Sequence, residues 1–330
     1  MNVTEQVNDE FWWEVAEACS YATFFHSPLW HRLACNANSN LKHRSIGVVT
    51  DEGTKVVLPL IETGQIAGGM LKKVASTYAG CYGGIIATGT VPDNQARKIY
   101  QKGAAIGNGV FGVNENPFQA DHVDFWDEDE GEKSRDFTQV VNLKGSFDDL
   151  VRDFSKGHRS SLNKGRREGV IVRQADSLDD YRRYFGAYEA SLKRWGEDAT
   201  GKYPWELFER GFSLSKEYPN HIKLWLAEVE GEVASGAWCF YWNDHVVYWH
   251  GASYKRFFDY RPNNVLHAEI MKDALRDDYK FYDLNPSGGH SGVVQFKKRF
   301  GAEKRHFRRI TLRSRKFRAI SKVKEAFSNE

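Results

Sequence analysis

Runs of apolar residues along the chain fall into short mixed blocks. Residues 9–19 read as a helix, and residues 24–34 as a second helix entered through Ser27-Pro28, proline being suited to a first helical position. Residues 44–50 and 55–62 read as two strands around the turn Asp51-Glu52-Gly53. Residues 76–90, rich in Gly and Tyr, read as strand and loop, and residues 92–103 as a helix. A second block opens with a strand at 138–143. Ser146 is set to cap a helix, with Asp149 three residues on, that runs into His158 and the basic stretch after it and stops at Gly169. A strand starting at Val170, helices at 178–193 and 204–216, and strands at 222–228, 232–242 and 246–252 follow. Pro262 starts a helix to Asp277. Strands at 281–284 and 305–312 and a basic helix at 315–327 complete the reading. Strands and helices mix in both blocks, with antiparallel hairpins between helical pairs. That pattern predicts an α+β or mixed-sheet α/β fold.

Length changes this picture by allowing two modules: 330 residues is long for one domain. The reading places one module over residues 1–137 and the other over 138–330, with the end of the acidic stretch 121–132, around 127–132, as an exposed connection. A chain that is 41% hydrophobic is built to pack. Charge is balanced overall, but residues 297–325 hold thirteen Lys and Arg against Glu303 and Glu325. A basic end on a neutral protein points to a local surface for phosphate or anionic lipid, or to a solvated helix face and tail. Cys19, Cys35, Cys81 and Cys239 are widely spaced, which fits neither a zinc site nor a disulfide framework and suits reduced thiols. The polar N-terminus and the lack of a long apolar run give the expectation of a soluble cytoplasmic protein.

Candidate chemistry gathers near the C-terminal end. Gln295-Phe296-Lys297-Lys298-Arg299-Phe300-Gly301 follows a loop holding Gly288, Gly289 and Gly292. Glycines let backbone approach a ligand closely, and flanking aromatics pin a lysine stem while its ammonium points into a cleft. The plainer reading is a short amphipathic helix with Phe296 and Phe300 turned inward.

The order of pieces decides between them. His158-Arg159, Leu162 and Lys164; Tyr188, Ser191 and Arg194; Trp225-Leu226-Ala227; Tyr248-Trp249-His250-Gly251; Pro262-Asn263; Tyr282-Asp283; and Phe296-Lys297 stand in sequence, with Phe25-His26-Ser27-Pro28 and Val57-Leu58-Pro59 ahead of them. In this the chain resembles the FemAB family of aminoacyltransferases, strongest over residues 146–309. The resemblance implies two tandem modules of the GNAT (N-acetyltransferase) fold. It implies transfer of an aminoacyl group from aminoacyl-tRNA to the stem peptide of a peptidoglycan-type precursor. By the same resemblance Lys297 is the catalytic lysine, Phe296 its supporting wall, and Arg194 a contact for the acceptor's phosphate. Tyr254, Asn263, Asp283 and Asn285 border the expected cleft. Arg159, Lys164, Arg166 and Arg167 are expected to hold tRNA phosphates, with a solvated helix face as the alternative.

No metal and no permanently bound cofactor is expected; the acyl donor enters as a co-substrate. Acyl-CoA is the less favoured donor, because the stretch 254–264 lacks the glycine loop that cradles pyrophosphate and Pro262 removes an N–H donor. The general base is left unassigned, with His250 and His290 as candidates. Two alternatives stay open: an N-acyltransferase using acyl-CoA or an acyl-carrier protein on an amino sugar of a surface polysaccharide, and a non-catalytic protein binding tRNA or anionic membrane. A peripheral place at the inner face of the membrane fits the basic end.

Overall fold

The computed structural model describes residues 2–5, 7–120, 124, 131–196 and 202–328. The chain divides into two compact units, residues 1–136 with 306–330, and residues 137–305. The first break falls beside the expected one. Residues 306–330 group with the first unit rather than the second, because the strand Glu303–Arg313 hydrogen-bonds with Val110–Asn114, pairing Ile310 with Val113. Most of the acidic stretch lies outside the described residues. Gly131 and Glu132 begin a twelve-residue strand instead of an open connection.

In the first unit the elements are β1 (Asn2–Glu5), α1 (Asp9–Ala18), α2 (Pro28–Ala37), β2 (Lys42–His43), β3 (Ile46–Val49), β4 (Lys55–Leu58), β5 (Ile61–Ile66), β6 (Leu71–Ala75), β7 (Ile86–Ala87), α3 (Asp93–Ile106) and β8 (Val110–Asn114). The strand β9 (Gly131–Asn142) follows and runs on into the second unit. One sheet has the order β1-β3-β4-β7. In the other, β8 lies beside β6, then β5 and β2.

The expected strand over 55–62 is two strands in two sheets. Pro59 has no N–H to give a ladder, and its carbonyl accepts the Ser76 hydroxyl at 3.1 Å. The expected helix over 24–34 is a 3-10 turn, Phe24–His26, followed by α2 with Pro28 in its first turn. Val56, Leu58, Ile99, Phe111 and Ile310 share the core.

The second unit continues with α4 (Phe147–Asp153), α5 (Lys156–Arg167), β10 (Ile171–Gln174), α6 (Leu178–Trp195), α7 (Trp205–Glu217), β11 (Ile222–Val229), β12 (Glu232–Trp242), β13 (His245–Ser253), α8 (Pro262–Arg276), β14 (Phe281–Asp283), α9 (Ser291–Lys298) and the start of β15 (Glu303–Arg313). The helix α10 (Arg315–Ser328) belongs to the first unit. The single helix expected from Ser146 to Gly169 is two. Phe154 takes an extended conformation, and Ser155 caps the second helix by accepting the His158 N–H at 3.2 Å.

Strands run in the order β10-β11-β12-β13-β14-β9. All neighbours are antiparallel except β13 and β14. Alternation along β12 serves both faces. Trp238 packs on Tyr181 and Phe208 of α6 and α7. Cys239 and Tyr241 join Ala268 and Met271 of α8 in the core.

Candidate active site

The site grows from one local feature of this sheet. β13 and β14 run parallel, and their pairing covers only His245–Val247 against Phe281–Asp283. β13 then continues six residues further, through a bulge between His250 and Tyr248, to Ser253. Six residues of strand span roughly 20 Å. Beyond Asp283 the chain turns at Asn285, whose φ of 62° is left-handed. β13 therefore runs on past the carboxyl end of β14. In open α/β sheets ligands bind outside the carboxyl ends of the strands.

Lys297 stands at that end. It is 4% exposed, not the solvated lysine of a plain surface helix. Its Nζ donates to the carbonyl of Asn285 at 2.7 Å and to that of Pro286 at 3.2 Å. The turn is held from its other side by Asp283. One carboxylate oxygen accepts the Thr138 hydroxyl at 2.5 Å and the Asn285 N–H at 2.8 Å. Asp283 is fully buried, so it braces the turn rather than bordering open space.

The Phe296 ring lies 5.1 Å from His158, 5.7 Å from His267 and 5.2 Å from Phe300. His267 Nδ1 is 2.7 Å from the Tyr282 hydroxyl. Burial, with the charge of Lys297 and the neighbouring His158, pulls the His267 pKa down to about 3. His158 is pulled to about 4 by burial and the charge of Arg299. Both rings are held well below the usual histidine range beside Lys297 and Arg299. Around α9, Gln139 Oε1, His158 Nε2 and Ser287 Oγ are buried with no hydrogen-bond partner in the protein. Buried polar atoms are nearly always paired, and an orphaned set calls for water or a ligand.

A second cluster caps the far end of β13. Arg194 donates to the Ser253 carbonyl at 2.9 Å and to Ser191 Oγ at 3.2 Å. Ser253 Oγ reaches Asn263 Oδ1 at 3.1 Å. Arg194 and Asn263 are thus brought together through one serine. Asn263 and His267 lie one turn apart on α8 and share a face, so α8 touches both clusters. The Tyr254 hydroxyl lies against Gly186 of α6, where an added Cβ would meet it at 2.8 Å.

The basic helix α5 is partly committed to the fold. Arg159 donates to the carbonyls of Arg152 (at 2.8 Å) and Phe154, at the end of α4. Arg166 pairs with Glu269 at 2.9 Å. Lys164 is half-buried, and Arg167 is exposed. Four phosphate ligands on one open face is not what the structure presents.

Neither candidate base has a catalytic setting. His250 is enclosed by Tyr184, Tyr188, Tyr203 and Phe208, its Nδ1 is 2.6 Å from the Tyr184 hydroxyl, and burial lowers its pKa to about 3. His290 is exposed at the start of α9. In the first unit a cavity of about 490 Å³ opens beside the start of α3, lined by Tyr21, Gly89, Asp93, Tyr100 and Glu115 among others and, among the described residues, by no Lys or Arg. Glu115 there is tied to Arg308.

Residues 152–298 match the family described as Acetyltransferase (GNAT) domain. In fold the chain is similar to FemX, with a TM-score of 0.69 at 12% identity, over 93% of this chain and 97% of that one. It is similar to the C-terminal domain of a putative lysylphosphatidylglycerol synthetase from Agrobacterium fabrum (TM-score 0.55, 10% identity, 92% of each chain). It is also similar to a tandem GNAT protein from the clavulanic acid biosynthesis pathway (TM-score 0.54, 10% identity, 94% and 98%). No curated protein sequence matches it. Residues 152–298 thus carry a domain that matches the GNAT acetyltransferase family. The chain as a whole has a FemX-like tandem fold, in agreement with the resemblance carried by its motifs.

Proposed function

We propose that the protein forms an amide bond by moving an aminoacyl group from aminoacyl-tRNA to an amine of a peptidoglycan-type cell-envelope precursor. Lys297 carries this reading: a buried lysine, fixed by two carbonyls, at the carboxyl end of β14, past which β13 runs on. The acceptor amine attacks the ester carbonyl. A C–N bond forms, the C–O bond to the tRNA ribose breaks, and the proton lost by the amine ends on the departing ribose oxygen. The tetrahedral intermediate bears an oxyanion, which a fixed ammonium stabilises by roughly 3–4 kcal/mol relative to its absence. Arg194 is suited to a phosphate present throughout the reaction, through its planar fork. With tRNA as donor the reaction belongs to the cytoplasm, and the basic helix α10 suits contact with the inner face of the membrane.

The stretch before α8 supports this donor over CoA. It forms a 3-10 turn, Lys255–Tyr260, then a left-handed Arg261, with Pro262 in the first turn of the helix. It has no glycine, and Pro262 supplies no N–H for a pyrophosphate. The cavity of the first unit is no better suited to CoA phosphates, since among the described residues Asp93 and Glu115 are its charged lining.

The test supplies the purified protein with tRNA charged with radiolabelled amino acids and with envelope precursors, and in parallel with acetyl-CoA. Label appearing on the precursor as an acid-stable amide supports the reading. Acetylation from acetyl-CoA with no transfer from tRNA overturns it in favour of the amino-sugar N-acyltransferase. No turnover with either donor, alongside tRNA binding, overturns it in favour of a binding protein.

A further inference from the structure

In the first unit the hairpin of β5 and β6 ends in a tip, Ile66-Ala67-Gly68-Gly69-Met70, that carries no polar side chain. Its turn runs through three left-handed residues, Ala67, Gly68 and Gly69, with φ of 52°, 66° and 92°. Backbone geometry, not a polar side chain, therefore sets its shape. Met70 is 70% exposed, more than any other large apolar residue among those described. Buried Leu71 anchors the returning strand, and half-buried Lys72 and exposed Lys73 come next.

A single exposed apolar side chain is ordinary; this one is tied to a basic pocket at the same end of the sheet. Asn108, in the turn between α3 and β8, accepts the Lys72 N–H at 2.8 Å and donates to the Met70 carbonyl at 3.2 Å. The carbonyl of Gly109 accepts the Ser314 N–H at 2.9 Å, where β15 gives way to α10. Val110 pairs with Lys73 on one side and with Arg313 on the other. Beside this turn lies a cavity of about 170 Å³, lined by Gly107, Phe111, Leu312, Arg313, Arg315 and Arg318 among others. Glu132 pairs with Arg313. Arg315 is exposed and Arg318 half-buried. One short turn of backbone thus holds an apolar tip and an arginine-lined pocket together.

We propose that this end of the first unit docks on an anionic lipid bilayer. The tip at residues 66–70 enters the boundary between headgroups and acyl chains, and the arginine-lined pocket takes the phosphate of an acidic phospholipid. The outermost group is a thioether on an apolar turn. A lipid interface gives such a group an apolar environment, which a nucleic-acid backbone does not. The basic residues beside it add attraction to a negatively charged leaflet. The proposal rests on the peripheral membrane place proposed for α10 and adds to it the hairpin and the lipid phosphate. The identity of the acyl donor does not enter into it.

Co-sedimentation of the full chain with vesicles tests this, using phosphatidylcholine alone and phosphatidylcholine with phosphatidylglycerol at about three to one. The mixed vesicles are expected to bind about tenfold or more tightly than the neutral ones. Met70→Ser weakens that binding roughly tenfold, in low and high salt alike, and Met70→Leu restores it. Arg315→Gln and Arg318→Gln each weaken it about fivefold at low salt, with a smaller effect in about 1 M salt, where charge is screened. The proposal is overturned if neither vesicle binds, if both bind alike, or if Met70→Ser binds as the parent does. It is also overturned if the protein ignores vesicles but binds deacylated tRNA through Arg315 and Arg318, which assigns the pocket to RNA. Circular dichroism confirms folding of each variant. Vesicle binding through the tip without transfer from aminoacyl-tRNA refutes the donor and leaves the docking surface standing. Transfer to a soluble precursor without vesicle binding does the reverse.

Discussion

Lys297 Nζ lies 2.7 Å from the backbone carbonyl of Asn285, so the proposed catalytic cation and the turn that ends β14 are one construction. Removing the lysine therefore disturbs both chemistry and fold. Lys297→Ala is expected to lower kcat about 10²–10³-fold with little change in acceptor KM. It also leaves two carbonyls short of a donor, at a cost of about 1–3 kcal/mol each if they stay dry. Single-turnover kinetics and thermal melts separate the two effects. A variant with full turnover would show that Lys297 only braces the turn.

Arg194→Ala is expected to show the opposite kinetic pattern, a raised KM for the phosphate-bearing substrate with a smaller loss at saturation, because a phosphate is charged in ground and transition states alike. Steady-state kinetics on both variants, side by side, give the contrast.

Three buried histidines make the second unit sensitive to acid. His158, His250 and His267 titrate at about 4, about 3 and about 3 in the folded protein, through burial above all. Unfolded histidines titrate near pH 6.5. Between those limits the unfolded chain holds more protons, so stability falls as pH drops below about 6.5, by up to about 1.4 kcal/mol per pH unit for each ring. Melting temperatures recorded from pH 7 to pH 4 should decline, and His250→Phe should flatten the slope. A flat profile in the parent protein would contradict the buried, neutral assignment.

Asp180 acts lower on the scale. Hydrogen bonds from Arg173, and the Asp176 N–H, bring its pKa from 3.8 to about 2 against the opposing effect of burial. That stabilisation is complete above about pH 4 and is lost as pH falls through about 2. Asp180→Asn should cost about 1–2 kcal/mol at pH 7, allowing for the partial exposure of Arg173. Urea melts at pH 7 and pH 2.5 should show the gap between the two proteins narrowing in acid.

Gly211 of α7 faces Trp238 so closely that an added Cβ would lie 2.1 Å from the ring. Gly211→Ala should destabilise by about 1–3 kcal/mol despite its better helix propensity. Equal stability in a chemical melt would mean that the indole moves aside at no cost.

The second unit was largely legible in the sequence because its elements are long and closed by plain signals. Ser146 caps α4, Pro262 opens α8, Gly231 turns β11 into β12, and Gly169 ends the basic stretch. Two short strands of the first unit, β6 and β8, were not. β6 reads Leu-Lys-Lys-Val-Ala and β8 reads Val-Phe-Gly-Val-Asn, and neither lysines nor a glycine mark a strand. At the site, Phe296, Lys297, Arg194 and Asn263 carried a signal through motif order. What they touch did not: Thr138 meets Asp283, and Ser191 meets Ser253, across long stretches of chain. Arg159 and Arg166 looked like a phosphate face because sequence shows their charge but not the α4 carbonyls and Glu269 that engage it.

The strand Glu303–Arg313 also sets an order of events during synthesis. Residues 137–305 form a unit that is contiguous in sequence, so its internal contacts do not wait for later chain. The first unit begins earlier yet needs residues 306–330, so its leading part must wait, with an edge of β8 unpaired, until the other unit has been made. The part of the protein translated first is thus the part finished last, and a chaperone holding residues 1–136 would shield that open edge in the interval.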